Sequence, residues 1–166
     1  MGDGHRLDQR CGGVAGAHVG SGDGDSLGPV EAHATFELSD HAQLPTADDV
    51  ATVVGVDLSH TSFTKTFQGD LEAVSVTQML ASRSPDGAGY VAMERIVGQL
   101  GDRVGTFVLL HMGTLDGDGE PVGHWPIVPG SGTGELERIS GHAHIGADAD
   151  GTHRIQLHYE MDEAGD

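Results

Sequence analysis

Cysteine, lysine, aromatic side chains and long apolar runs are all scarce in this chain of 166 residues. The one cysteine, Cys11, cannot form a disulfide framework, so we expect a cytoplasmic location rather than an oxidising compartment. No run approaches the roughly 18 apolar residues that a membrane span needs, so no membrane partner is expected. Basic residues number 8 against 26 acidic ones, and the resulting charge of -18 repels phosphate backbones. Nucleic acid is therefore not expected as a partner.

Glycine, by contrast, is abundant, and 9 of the 27 glycines fall in residues 1–29, which contain no aromatic residue. A segment of this composition buries too little apolar surface to offset the entropy of ordering it. We therefore predict a disordered tail over residues 1–29, one folded domain over 30–161 and a short C-terminal tail over 162–166.

The predicted domain is all-β. Residues 32–38 alternate between apolar and polar side chains, which is the period of a strand. Further β-like runs, most of them separated by Asp- and Gly-rich turns, cover Leu58–Phe67, Leu71–Ala81, Gly89–Gln99, Val104–Thr114, Val122–Val128, His142–Ala147 and His153–Glu160. Seven or eight such strands form a sandwich or an up-and-down antiparallel barrel. We favour a small barrel, because closing the sheet removes its exposed edges.

Most of the predicted strands sort into one apolar and one polar face, as a barrel wall does. The strand after Leu71 places Val74, Val76 and Leu80 on its apolar face, together with Gln78. Two central strands, Gly89–Gln99 and Val104–Thr114, carry apolar residues on both faces. The apolar side chains on their outer faces would otherwise be exposed to solvent, and self-association is the simplest way to bury them. We therefore predict a homo-oligomer of two or more copies.

Three motifs suggest metal or cofactor chemistry, but the sequence supports none of them. The Asp-rich turns lack the spacing of a calcium-binding loop. His142 and His144 have the spacing found in cupins, but their parity places them on the outer face, and a site would need a third nitrogen and a carboxylate. The glycine-rich segment 130–134 lacks the pattern of a phosphate-binding loop. We predict no metal and no cofactor.

Polar residues within otherwise apolar strands are stronger evidence of a functional site than these motifs. A charged group inside a small barrel is costly unless it is paired or solvated. If Glu94 and His111 both point inward, they can pair, with His111 as an acid or base and Glu94 as its orienting partner or as a base itself. These two are the candidate catalytic residues. The candidate ligand-binding residues are Lys65, Gln78, Trp125, Phe107 and Tyr90.

Three segments that contain several of these residues resemble a known bacterial family. They are Thr64-Lys-Thr-Phe-x-Gly-Asp-Leu-Glu72, the pair formed by 94–100 and 103–114, and 125–136, which begins Trp-Pro-Ile-Val-Pro-Gly. Over about residues 30–160 the chain resembles the domain-of-unknown-function family 3224, whose fold is similar to the allene oxide cyclase barrel. The resemblance implies an eight-stranded antiparallel barrel, usually self-associated. It implies no particular reaction.

The sequence leaves three functions open. The first is a barrel that binds a small apolar molecule, since an apolar cavity with a few polar groups is the usual pattern of a ligand site. The second is a cyclase or isomerase that holds a flexible apolar substrate while Glu94 or His111 moves a proton. The third is a structural barrel filled by its own side chains. Whether the protein is an enzyme is not decided by the sequence.

Overall fold

The computed structural model describes residues 29–46, 55–117 and 121–162, and every regular element within these ranges is a β-strand. The predicted N-terminal tail, with Cys11, therefore lies almost entirely outside the described residues. No helix in the described ranges is long and apolar enough to cross a membrane. The strands are β1 Val30–Leu44, β2 Asp57–Gly69, β3 Leu71–Ser84, β4 Gly87–Leu100, β5 Arg103–Asp116, β6 Val122–Pro126, β7 Thr133–Gly134, β8 Ile139–Ala147 and β9 His153–Met161.

Eight of these strands close into an antiparallel barrel. Each strand pairs with the next along the chain from β1 to β6, β6 pairs with β8, β8 with β9, and β9 returns to β1. The two-residue strand β7 is additional and pairs with the first half of β5. The prediction of an eight-stranded up-and-down barrel is confirmed.

The strand boundaries lie close to the predicted ones, with two differences. Strand β1 continues beyond Leu38 to Leu44, because a register shift between Ser39 and Ala42 lets it keep pairing with β2. Asp40 at this irregularity has a φ of 50°, a conformation that Asp tolerates better than most residues. Strand β7 was not predicted, since two residues carry no periodicity.

One end of the barrel interior is packed with apolar side chains. Leu71, Leu100 and Leu157 have no more than 1% of their surface exposed, and the rings of Phe36 and Phe67 lie 5.5 Å apart. Burying an aliphatic or aromatic side chain of this size stabilises the fold by roughly 1.5–3 kcal/mol. This packed end, together with strand closure, fixes the strand register that positions the polar residues nearer the other end.

Strand β3 faces the opposite way from its apolar pattern. Its interior side chains include Ala73, Ser75 and Thr77, whereas Val74 and Val76 are about half exposed on the outer wall. The expectation that the apolar face of a strand turns inward is therefore wrong for β3. The physical reason is that charged residues of β2 and β4 occupy the interior at this height, and small polar residues fit beside them.

The outer wall over β3, β4 and β5 is apolar, as the doubly apolar strands predicted. Val74 pairs with Val97 across β3 and β4, and Val91 pairs with Met112 across β4 and β5. These four side chains are between 41% and 52% exposed. A contiguous apolar surface of this kind is typical of an interaction site.

Candidate functional site

A cluster of hydrogen-bonded polar side chains lies inside the barrel, and Glu94 is its centre. Lys65 Nζ donates to Glu94 Oε2 over 2.8 Å, and His111 Nε2 lies 2.7 Å from the same oxygen. Ser75 Oγ donates to the other carboxylate oxygen, Oε1. The four residues come from four consecutive strands, β2 to β5, so the cluster bridges half of the barrel wall.

The strand register explains why these residues meet. Lys65 is directly opposite Ser75 in the β2–β3 pair, and His111 is opposite Ala92, two residues before Glu94, in the β4–β5 pair. Side chains two residues apart in a strand share a face, so all four point inward. Glu94 and His111 therefore both point inward and lie within hydrogen-bond distance, which is the condition under which the sequence predicted their pairing.

Glu94 is held as a carboxylate by its partners. Its side chain is fully buried, and that burial by itself favours the neutral acid. The hydrogen bond from His111 and the charge of Lys65 outweigh the burial and lower the pKa of Glu94 from 4.5 to about 2. An ionised carboxylate can only accept hydrogen bonds, so His111 carries a proton on Nε2.

Lys65, the only lysine of the chain, lies among aromatic rings as well as beside the carboxylate. Its Nζ is 4.8 Å from the ring centroid of Phe36 and 5.9 Å from those of Phe63 and Phe67. Ring faces attract a cation electrostatically. The two kinds of contact together compensate for burying the ammonium group, whose side chain is 5% exposed.

Two threonine hydroxyls beside the cluster lack partners. Thr61 and Thr77 are buried, and their Oγ1 atoms have no hydrogen-bond partner within the described part of the chain. Thr77 is directly opposite Glu94 in the β3–β4 pair. An unpaired buried hydroxyl costs about 1–3 kcal/mol, so these two groups are available to a polar atom that enters the barrel.

The end of the barrel beyond this layer holds a mostly apolar cavity of about 660 Å³ that is partly open to solvent. Trp125 and Tyr90 lie on its wall, and Trp125 Nε1 donates to Tyr90 Oη over 3.3 Å. Met79 and Ile145 also line it, and Arg83 is among its polar residues. A cavity of this size falls within the range of small-molecule sites.

Two glycines make room for the aromatic rings of the cavity. A Cβ at Gly113 would collide with the Tyr90 ring, and a Cβ at Gly123 would collide with the Trp125 ring. Gly113 and Gly123 are paired across β5 and β6, so both rings lie against one glycine-lined stretch of wall. The positions of Tyr90 and Trp125 therefore depend on these two glycines.

The structure divides the seven predicted site residues into four locations. Glu94, His111 and Lys65 form the interior cluster, and Tyr90 and Trp125 line the cavity. Phe107 is 1% exposed within the packed apolar cluster, because its inward position lies one step further toward the packed end than Leu109. Gln78 is exposed on the outer wall, since the inner face of β3 is the one with Ser75 and Thr77.

Sequence reasoning did not identify Ser75, Thr61 and Thr77 as members of this region. A signal was present for two of them, since Ser75 and Thr77 share a face of β3 next to a strand that contains Lys65. The apolar residues on the other face of β3 suggested instead that this other face points into the barrel.

Comparisons with known proteins place the chain in a family. The family model described as "Protein of unknown function (DUF3224)" matches residues 32–159. A crystal structure of a DUF3224 protein of unknown function from Shewanella oneidensis is 31% identical in sequence, with a TM-score of 0.73. The match covers 81% of this chain and 99% of that one. No curated protein matches the chain. The chain therefore belongs to the DUF3224 family of β-barrel proteins.

Proposed function

We propose that the protein binds a small, mainly apolar molecule in the open end of its barrel. The observation that carries the proposal is the cavity of about 660 Å³ whose wall includes Tyr90 and Trp125. Its lining offers apolar contact area with a few polar groups, the combination that ligand sites use for affinity and orientation.

The polar layer supports a ligand that carries one polar group. The unpaired hydroxyls of Thr61 and Thr77 gain hydrogen bonds if a carbonyl, hydroxyl or carboxyl group reaches them. His111 is the most exposed member of the cluster, with 7% of its side chain accessible. Its Nδ1 has no hydrogen-bond partner among the described residues and is a further donor or acceptor for such a group.

Trp125 provides a direct test because it is the only tryptophan of the chain. The neutral probe N-phenyl-1-naphthylamine is titrated into the protein, and energy transfer from Trp125 to the probe is recorded. We expect saturable transfer, since a probe in the cavity lies against the indole ring. The Ala81→Phe variant, which adds a ring to the cavity wall, is expected to bind at least about tenfold more weakly.

Ala149→Phe is the matched control, because Ala149 is exposed in the turn between β8 and β9 and does not line the cavity. Equal binding by both variants contradicts the cavity as the site. Absence of saturable transfer in the unaltered protein supports instead a structural barrel without a ligand.

The hydrogen bond between His111 and Glu94 favours a second candidate, a cyclase or isomerase in the manner of the allene oxide cyclase barrel. A carboxylate with a pKa of about 2 is a weak base, so Glu94 would orient His111, and His111 would move the proton. The test compares molecules extracted from the purified protein and from the His111→Gln variant by chromatography. An enzyme leaves a different isomer in the variant, whereas a binding protein retains the same molecule in both.

We also propose that the apolar outer wall of β3–β5 contacts a second copy of the chain. In a chain with a net charge of -18, this wall is mainly apolar and carries Arg95 near its centre rather than a group of acidic residues, so repulsion between two copies is weaker here than over the acidic surface. A patch that meets itself around a two-fold axis forms a closed dimer. We also propose a cytoplasmic location, because a single cysteine cannot form the disulfide framework of an oxidising compartment.

Sedimentation velocity tests the self-association. Met93→Glu in the centre of the patch is expected to yield monomers, while Val30→Glu, at an exposed position on β1, leaves the assembly unchanged. Monomers in the unaltered protein at tens of micromolar, or an equal response to both substitutions, would exclude the patch.

A further inference from the structure

Three histidines converge on the outer face of β8 and β9, away from the interior cavity. His142 and His158 are directly opposite each other in the strand pair, and His144 follows on the same face of β8. One ring nitrogen from each of the three lies within 4.8 Å of the others. The ring centroids are 5.1 to 5.4 Å apart.

The positions of these rings are set by the barrel wall. Between them, Ala143 points inward and is buried, so the alternation of the strand places His142 and His144 outside, as predicted. Both are exposed, and His158 is 26% exposed. Solvent-exposed imidazoles can rotate about their side-chain bonds, while the paired strands hold their Cα atoms in place.

A carboxylate contacts the third histidine from the neighbouring strand. Glu31 on β1 is opposite His158 in the β1–β9 pair, and its Oε1 lies 3.4 Å from His158 Nδ1. Gln156 Nε2 donates to the other oxygen of Glu31 over 3.3 Å, which holds the carboxylate on this face. With Glu31 on the Nδ1 side of His158, Nε2 is the ring nitrogen that remains for a metal. Metal-binding histidines are commonly oriented by a carboxylate in this way.

We propose that His142, His144 and His158 bind one divalent transition-metal ion of the Zn²⁺ class, with Glu31 as the positioning residue of His158. Imidazole nitrogens suit Zn²⁺, and three of them leave the fourth tetrahedral position for water or a partner group. Zn–N bonds of about 2.0–2.1 Å require nitrogen atoms about 3.3 Å apart, which modest ring rotations from the present separations provide. The strongly acidic chain raises the local concentration of cations.

This arrangement supplies what the sequence did not show. The spacing of His142 and His144 indicated two ligands only. The third nitrogen comes from β9, the hairpin partner of β8, and the carboxylate comes from β1, which pairs with β9 where the barrel closes. A metal bound here links β8 to β9 on the outside of the barrel. It is independent of any molecule held in the interior.

Zinc binding by the full-length, tag-free protein tests the proposal. After treatment with a chelator and removal of that chelator, the protein is titrated with ZnSO₄ in a calorimeter, and its thermal unfolding is recorded with and without the ion. We expect saturable binding that includes one site weakened by His142→Gln, His144→Gln or His158→Gln, and a higher unfolding temperature with zinc. Each of these variants is expected to weaken that site by at least about tenfold, and Glu31→Gln by about tenfold.

The matched control is His41→Gln, an exposed histidine on β1 outside the cluster. Its zinc binding should equal that of the unaltered protein. An unchanged number of zinc sites in the triple His→Gln variant, or equal weakening with His41→Gln, overturns the proposal and assigns the zinc to other residues. Absence of saturable zinc binding also overturns it. Copper EPR adds a second readout, since three nitrogen ligands give a hyperfine pattern that the His158→Gln variant loses.

Discussion

The two ends of the barrel interior are built from the same strands but filled differently. At the packed end, Phe107, Leu100 and Leu157 are almost completely buried in a continuous apolar cluster. At the open end, Tyr90 and Trp125 line a cavity of about 660 Å³. The charged layer around Glu94 lies between them.

This difference separates stability from binding within one small domain. Close packing at one end supplies dispersion contacts and hydrophobic burial, which hold the strands in register. The open end then keeps its shape without being filled, because the barrel is closed and has no free edges there. The buried polar layer marks the boundary, and the predictions below test each side of it.

The largest effect is expected from disrupting the buried polar layer around Glu94. Lys65→Met removes the cation beside Glu94 and leaves a buried carboxylate without its ion-pair partner, at a cost of about 3–5 kcal/mol in the free energy of unfolding. Urea denaturation at pH 7 measures the loss.

The double variant Lys65→Met/Glu94→Met serves as the control. It removes both charges, and it should recover at least half of the stability that the single variant loses, because apolar residues of similar volume replace a buried ion pair at little cost. If the double variant is less stable than the single one, the Lys65–Glu94 ion pair makes a net favourable contribution to the free energy of unfolding.

Acid pH provides the next largest effect. The pKa of Glu94 is about 2 in the folded protein and near the ordinary 4.5 in the unfolded chain. Its contribution to stability is therefore fully present above about pH 4.5 and is lost as the pH falls toward 2, by about 3 kcal/mol in total. The other acidic residues titrate over the same range.

The stability difference between the unaltered protein and Glu94→Gln isolates this contribution. We expect the difference to be constant between pH 5 and 7 and to shrink steadily below pH 4.5, as measured by urea denaturation. A difference that stays constant down to pH 3 would show that Glu94 is not held as a paired carboxylate.

A matched pair of isoleucines compares the two environments directly. Ile145 and Ile155 face each other across β8 and β9, but Ile155 belongs to the packed cluster whereas Ile145 lines the cavity. We expect Ile155→Ala to cost about 3 kcal/mol and Ile145→Ala about 1 kcal/mol, because the second substitution enlarges space that is already open. Equal losses in thermal or urea unfolding would indicate that the cavity end is as closely packed as the other end.

The fold was predictable from the sequence because strand alternation and Asp-Gly turns are local signals. The pairing of Glu94 with His111 was also predictable, since both residues interrupt the apolar faces of neighbouring strands. The position of Gln78 on the outer wall was not predictable. The alternation in β3 separates its side chains into two faces, but it does not determine which face points into the barrel. That choice depends on Lys65 and Glu94 in the neighbouring strands, which require small polar partners such as Ser75.

The carboxylate of the histidine site was beyond sequence reasoning for a related reason. His142, His144 and His158 lie on one hairpin, but Glu31 and His158 are separated by more than 100 residues and meet only through the closing pair β1–β9. Contacts created by barrel closure leave no periodic signal in the sequence. The cavity is a similar case, since its volume depends on how Tyr90 and Trp125 lie over Gly113 and Gly123.

The smallest expected effect distinguishes the two polar residues on the inner face of β3. Thr77→Val removes a buried hydroxyl that has no partner within the described ranges, so it should stabilise the ligand-free protein by about 1 kcal/mol. Ser75→Ala, two residues away on the same face, removes a donor to the Glu94 carboxylate and should destabilise it by about 2 kcal/mol. Opposite signs in urea denaturation would show that Ser75 stabilises the buried polar layer and that the Thr77 hydroxyl is unpaired in the ligand-free protein. If Thr77→Val destabilises the protein as Ser75→Ala does, its hydroxyl is already satisfied in the folded state, and the boundary between stability and binding lies further toward the open end.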